Sequence, residues 1–168
     1  NPTFEISDQV KSWILRRPPF GLVLPTAHDM AREYRVLSAL RDSLVPVPTT
    51  LAYCMDPEVL GAPFYLMEKL DGVTMRSNAD TALMTDQEQG VLADGMTSTL
   101  AALHEVNPDD VGLADFGNPQ GFPERQVARW RKQWAAGHLE DRPQLDLLFD
   151  RLGSRVPQVL SPGITHGD

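Results

Sequence analysis

The chain has 168 residues, 42% of them hydrophobic, which is enough to bury a core as one domain or as two small lobes. Its net charge of −8 is concentrated in residues 46–120, with twelve acidic and two basic side chains, so nucleic acid and anionic membranes are poor electrostatic partners. A lone cysteine, Cys54, excludes an intrachain disulfide and a cysteine-built metal site; with no run of about 18 apolar residues and no signal-peptide pattern, a soluble cytoplasmic protein is expected.

Thr3 to Ile6 and Val10 to Arg17 are β-type runs around the polar turn Ser7-Asp8-Gln9, which predicts a hairpin ended by Pro18-Pro19-Phe20-Gly21. Thr26-Ala27-His28-Asp29 has the spacing of a capping box, with Asp29 in place of the usual Glu. The helix it opens carries Met30, Tyr34, Leu37, Leu40 and Leu44 on one stripe and stops at Val45-Pro46-Val47-Pro48. Thr49 to Met55 and Phe64 to Glu68 predict an antiparallel pair, with Asp56-Pro57 and Gly61-Ala62-Pro63 framing the turn between them. Cys54, inside the first strand of that pair, reads as a small buried apolar residue.

Thr85-Asp86-Gln87-Glu88 is a capping box in front of a long helix through Leu92, Met96, Leu100 and Leu103 to His104. A loop rich in Asn, Asp, Pro and Gly covers Asn107 to Phe122, and helices follow near Pro123–Ala136 and Pro143–Gly153. Trp130 and Trp134, at i and i+4, are expected in the core. Strands first and helices later define an α+β chain or two lobes. The acidic middle is either a solvated face or a surface that favours a cationic substrate.

Six segments in order carry a resemblance: Asn1-Pro2-Thr3-Phe4, Ile14 to Pro19, Arg32 to Leu37, Tyr65-Leu66-Met67-Glu68, Leu100 to His104, and His166-Gly167-Asp168. Together they resemble the aminoglycoside phosphotransferase-like family, and within it the kinase-like domains associated with acyl-CoA dehydrogenases. The resemblance implies a bilobal, protein-kinase-like fold. An antiparallel-sheet N-lobe with one helix, residues 1–70, would precede a mostly helical C-lobe, residues 71–168. It implies transfer of the γ-phosphoryl group of ATP or GTP to a small-molecule hydroxyl, with Mg2+. It also implies that the chain is incomplete at both ends, lacking a glycine-rich turn before Asn1 and metal ligands after Asp168.

By this resemblance Arg16 takes the place of the kinase strand lysine and Ile14 lines the adenine pocket; strand alternation puts both on one face, with Arg17 pointing away to solvent. Arg replaces a point charge with a planar, permanently charged fork, so the exchange is not neutral. Glu33 shares a helix edge with Leu37 and Leu40. It is either the inward partner of Arg16 or a surface carboxylate making local pairs. Met67 leads into a hinge, Glu68-Lys69-Leu70, whose backbone at Glu68 and Leu70 would meet the base; an ordinary strand end has the same side chains. Asp168 is the expected catalytic carboxylate, accepting or orienting the proton of the attacking hydroxyl, with His166 supporting its loop. His28, His104, His138 and His166 show no clustered ligand spacing, and no metal ligand is assigned. Asp115-Phe116-Gly117 spells a kinase metal motif but precedes Asp168 instead of following it, and reads as a loop of the helical lobe.

Two functions follow: a phosphotransferase seen as a fragment, or a nucleotide-binding pseudoenzyme or regulatory module, which Arg16 keeps open. The partner expected is a small-molecule substrate, with no nucleic acid and no membrane; the oligomeric state is left open.

Overall fold

A computed structural model describes residues 1–19, 28–75, 77–137, 142–157 and 161–166. Two compact units form, Asn1–Val106 with Ile164–Asp168, and Asn107–Gly163.

The first unit opens with a hairpin, β1 (Thr3–Ser7) and β2 (Ser12–Arg16). The Asp8 carboxylate caps the turn by accepting from the amides of Val10 at 3.0 Å and Lys11 at 2.8 Å, and Gln9 takes the left-handed conformation at φ 77°. Those two amides hold the Asp8 carboxyl below its ordinary value. Thr3 faces Arg16 and Glu5 faces Ile14 across this pair. With β3 (Thr50–Cys54) and β4 (Phe64–Glu68) the strands form one antiparallel sheet in the order β1-β2-β4-β3. Ile14 lies opposite Met67 and Arg16 opposite Tyr65, so these four side chains share one face of the sheet.

Helix α1 (Met30–Ala39) crosses that face. Its N-cap is Asp29, whose carboxylate accepts from the Arg32 amide at 2.9 Å. The expected capping box is therefore not how the helix starts: Asp29 caps it directly, and Thr26 lies outside the described residues. The helix also ends before Leu44, which is exposed. Ser43 explains the stop. Its Oγ donates to the Leu40 carbonyl at 2.7 Å and accepts from the Val45 amide at 3.2 Å, so a side chain takes over the bonding that another helical turn would need.

Tyr34 of α1 stacks on Tyr53, with ring centroids 5.4 Å apart, and meets Tyr65 edge-on at 6.1 Å. Ser38 and Thr50 join the helix to β3 through a 2.7 Å hydroxyl pair. Met30, Leu40, Val45, Leu15 and Tyr65 are buried in this unit. Between β3 and β4 the expected turn contains a short helix, α2 (Pro57–Leu60), capped by Asp56, with Pro57 in its first turn and Gly61 left-handed at its end. Cys54 is half-buried, not buried, with its Sγ 3.8 Å from the Asp56 carbonyl, because β3 is a sheet edge.

A single turn, α3 (Asn78–Thr81), precedes α4 (Asp86–Glu105). The capping box at the start of α4 is complete: Thr85 Oγ1 accepts from the Glu88 amide, and Glu88 Oε2 accepts from the Thr85 amide at 2.8 Å. In the second unit, turns over 108–121 lead to α5 (Phe122–Gly137) and α6 (Pro143–Gly153), joined by an Arg131–Asp150 ion pair of 2.8 Å. Asp115-Phe116-Gly117 lies in those turns, with the Phe116 amide donating to the Leu113 carbonyl at 3.0 Å. Trp130 is exposed, not in a core, and the Arg129 guanidinium lies 6.0 Å from its ring centroid. No helix among the described residues is long and apolar enough to cross a membrane.

Candidate functional site

The site is built on the sheet face under α1. Because β2 alternates, Arg16 and Ile14 project there together, and Ile14 stands beside Met67 as a half-buried apolar floor. Glu33, one turn into α1, reaches down to Arg16. Arg16 presents one edge of its guanidinium: Nε donates to Glu33 Oε2 at 3.1 Å, and Nη2 lies 3.1 Å from the same oxygen. The opposite edge, carrying Nη1, is left facing away from Glu33. The two side chains keep 29% and 31% of their surface exposed, so the pair is fixed but accessible to a ligand.

Glu33 is held from three sides. The Tyr65 hydroxyl also donates to Oε2, at 3.1 Å, and Asn1 Nδ2 donates to Oε1. Asn1 in turn contacts His28 Nδ1 through its Oδ1. Burial pushes the Tyr65 phenol well above its ordinary value, against the pull of Arg16 and with reinforcement from Glu33.

At the end of β4, Glu68 is locked to Thr49 from both ends. Its amide donates to the Thr49 carbonyl at 2.9 Å, and its Oε1 accepts from the Thr49 amide at 2.9 Å. Leu70, two residues on, is exposed. Lys69 turns back across the sheet to Glu5, with Nζ 2.8 Å from Oε1. That hydrogen bond, with a further one from Ser12, lowers the Glu5 carboxyl, and the same contact raises the Lys69 ammonium. Glu5 faces Ile14 in register, so this exposed pair borders the Ile14–Met67 floor.

Arg17 does not point to solvent. It is 8% exposed, and its guanidinium donates to the Leu60 carbonyl at 3.1 Å and the Pro18 carbonyl at 3.3 Å. Alternation turns it to the other side of β2, and the end of α2 lies there to receive it.

Asp168 and Gly167 lie outside the described residues. His166 is exposed and borders an apolar groove along α4 lined by Val91, Leu92, Met96, Leu100 and Leu103. Among the described residues, no group of three or more His, Cys, Asp or Glu could hold a metal ion. Tyr65 has no role legible in the sequence beyond its place in a strand, except that it stands two positions before Met67 and so falls on the floor's face.

The fold is matched elsewhere. The phosphotransferase enzyme family matches residues 1–168, and the chain belongs to that family. The fold is of the aminoglycoside phosphotransferase, protein-kinase-like type. A crystal structure at 2.32 Å from Ralstonia eutropha JMP134, described as a "putative aminoglycoside phosphotransferase", superposes with a TM-score of 0.75 at 34% identity, over 94% of this chain and 45% of that one. Acyl-CoA dehydrogenase family member 10 of Mus musculus is 33% identical over 168 residues, which are 100% of this chain and 16% of that protein. Acyl-CoA dehydrogenase family member 11 of Homo sapiens is 34% identical over 169 residues, 100% of this chain and 22% of its own length. The chain thus spans about a fifth of the length of these curated relatives.

Proposed function

We propose that this chain is the nucleotide-binding part of an ATP- or GTP-dependent kinase that phosphorylates a hydroxyl of a small molecule. Family membership supports phosphoryl transfer in general terms. The observation that carries the finer reading is the edge-on Arg16–Glu33 pair on the same sheet face as Ile14 and Met67.

Phosphoryl transfer is mainly positioning and charge neutralisation. In this reading Ile14 and Met67 form the floor under the base, and the backbone at Glu68 and Leu70 meets its polar edge. Glu33 holds one edge of the Arg16 guanidinium so that the Nη1 edge faces the phosphates. Asp168, assisted by His166, accepts or orients the proton of the attacking hydroxyl. Magnesium, when bound, would neutralise charge on the phosphates. Residues 1–70 act as the nucleotide lobe and 71–168 as part of the acceptor lobe. The relatives named for acyl-CoA dehydrogenases make a hydroxyacyl compound one acceptor class to screen, beside aminoglycosides, choline-like alcohols and sugars.

The test is nucleotide-dependent transfer by the full-length protein across these acceptors, compared with Asp168→Ala. The expected result is transfer that disappears in the variant. Binding of Mg-ATP with no transfer to any acceptor would replace this reading with that of a pseudoenzyme. Wild-type turnover in Asp168→Ala would remove the assignment of the base.

A further inference from the structure

Arg16 and Glu33 are long side chains with about a third of their surface in solvent, and such pairs are weak organisers when left to themselves. The third member of the cluster is different. Tyr65 is 1% exposed, sits on a central strand, and has only two side-chain torsions to fix. Tyr34 packs against its ring edge-on at 60°, and Arg16 stands directly opposite it in register. Its hydroxyl ends 3.1 Å from Glu33 Oε2, the oxygen that Arg16 also uses. The rigid partner therefore sets the position, and the two flexible partners follow.

We propose that Tyr65 is a positioning residue for nucleotide binding: its buried hydroxyl fixes the Glu33 carboxylate in the rotamer that turns the free edge of Arg16 toward the phosphates. This rests on Arg16 serving the nucleotide. Burial pushes the phenol up, so it remains a hydrogen-bond donor at neutral pH and well above it. Tyr65 touches neither base nor phosphate in this reading and acts through Glu33 alone. The aromatic cluster of Tyr34, Tyr53 and Tyr65 gives α1 a docked position already suited to the ion pair.

The experiment is a double-mutant cycle on the full-length protein, read as the Mg-ATP dissociation constant by calorimetry, with a melting temperature recorded for each variant. Tyr65→Phe keeps the ring and removes the donor. It should weaken binding about fivefold, less than the full value of a hydrogen bond to a charged group, because the lost bond acts on the nucleotide only through Glu33. In a Glu33→Ala background the same change should do nothing further. An undiminished loss in that background, or wild-type affinity in Tyr65→Phe alone, overturns the proposal. If Tyr65→Phe does not fold, replacement of Tyr65 by para-aminophenylalanine retains a donor at the same point and must bind as the wild type does; a loss of affinity there overturns the proposal. Arg16→Ala separates the two levels of inference. Wild-type affinity in Arg16→Ala removes the nucleotide reading itself, whereas a loss in Arg16→Ala with none in Tyr65→Phe removes only the role of Tyr65.

Discussion

Arg16 meets Glu33 through one edge of its guanidinium, with Nε and Nη2 both about 3.1 Å from a single carboxylate oxygen. A lysine cannot make this contact, because an ammonium has no second, oppositely directed set of donors in a fixed plane. The first prediction follows from that geometry. Arg16→Ala should weaken Mg-ATP binding by about tenfold or more, from the loss of charge-assisted bonds. Arg16→Lys should lose less, since the charge remains, but should not restore wild-type affinity. Calorimetry on the full-length protein measures both, and equal affinity of Arg and Lys forms would show that the planar fork is not used.

The seating of α1 depends on Tyr34, which is half-buried and touches two other tyrosines. Tyr34→Ala should cost about 2 kcal/mol, combining lost ring contacts with the space left behind. Tyr34→Phe should cost far less, because the ring does the packing. Thermal or urea unfolding of the two variants gives the comparison directly.

Helix α4 starts at a reciprocal cap, and removing its hydroxyl with Thr85→Ala should destabilise the protein by about 1 kcal/mol. The same cap has a pH signature. The Thr85 amide, then the Thr85 hydroxyl, donate to the Glu88 carboxyl and hold it below its ordinary value of 4.5. A carboxyl depressed in the folded state contributes stability that is present above its unfolded value and lost as pH falls through the folded one. Between neutrality and about pH 3, the wild type should therefore lose more stability than Glu88→Gln does. Parallel acid titrations of unfolding would reveal the difference, and superimposable curves would count against the cap.

Much of this was legible because the periodicities are simple. Alternation alone puts Ile14 and Arg16 on a common face, and helical spacing alone brings Glu33 onto the edge of Leu37 and Leu40. Thr85 and Glu88 stand at a spacing that permits little else. The misses at Arg17 and Tyr65 share a physical cause, namely partners far away in the chain. Nothing near Arg17 foretells that the carbonyl of Leu60, 43 residues later, will receive its guanidinium. Tyr65 looks like any aromatic strand residue until Glu33, 32 positions earlier, is found at its hydroxyl. Leu44 continues the helical period but loses to a local competitor, the Ser43 side chain. The short α2 did announce itself, since Asp56-Pro57 with Gly61 is a cap, a first-turn proline and a left-handed stop, yet the same letters also spell a turn.

A further prediction concerns Gln9, held at φ 77° in the β1–β2 turn. A side chain there carries strain of about 1 kcal/mol that glycine would not. Gln9→Gly should leave the protein as stable or somewhat more so, by thermal melting. A clear drop in melting temperature would mean that the side chain of Gln9 is needed.

That small turn governs more than the hairpin. Arg16 and Arg17 are consecutive, and the pleat sends one toward the helix above and the other among main-chain oxygens below. Sliding β2 by a single position would turn each to the opposite face, taking Arg16 away from Glu33 and Arg17 away from the Leu60 carbonyl. An insertion or deletion between Ser7 and Ser12 that shifts this register thus undoes the Arg16–Glu33 pair although neither residue is altered, and under the proposed function it should abolish nucleotide affinity in a protein that can still fold.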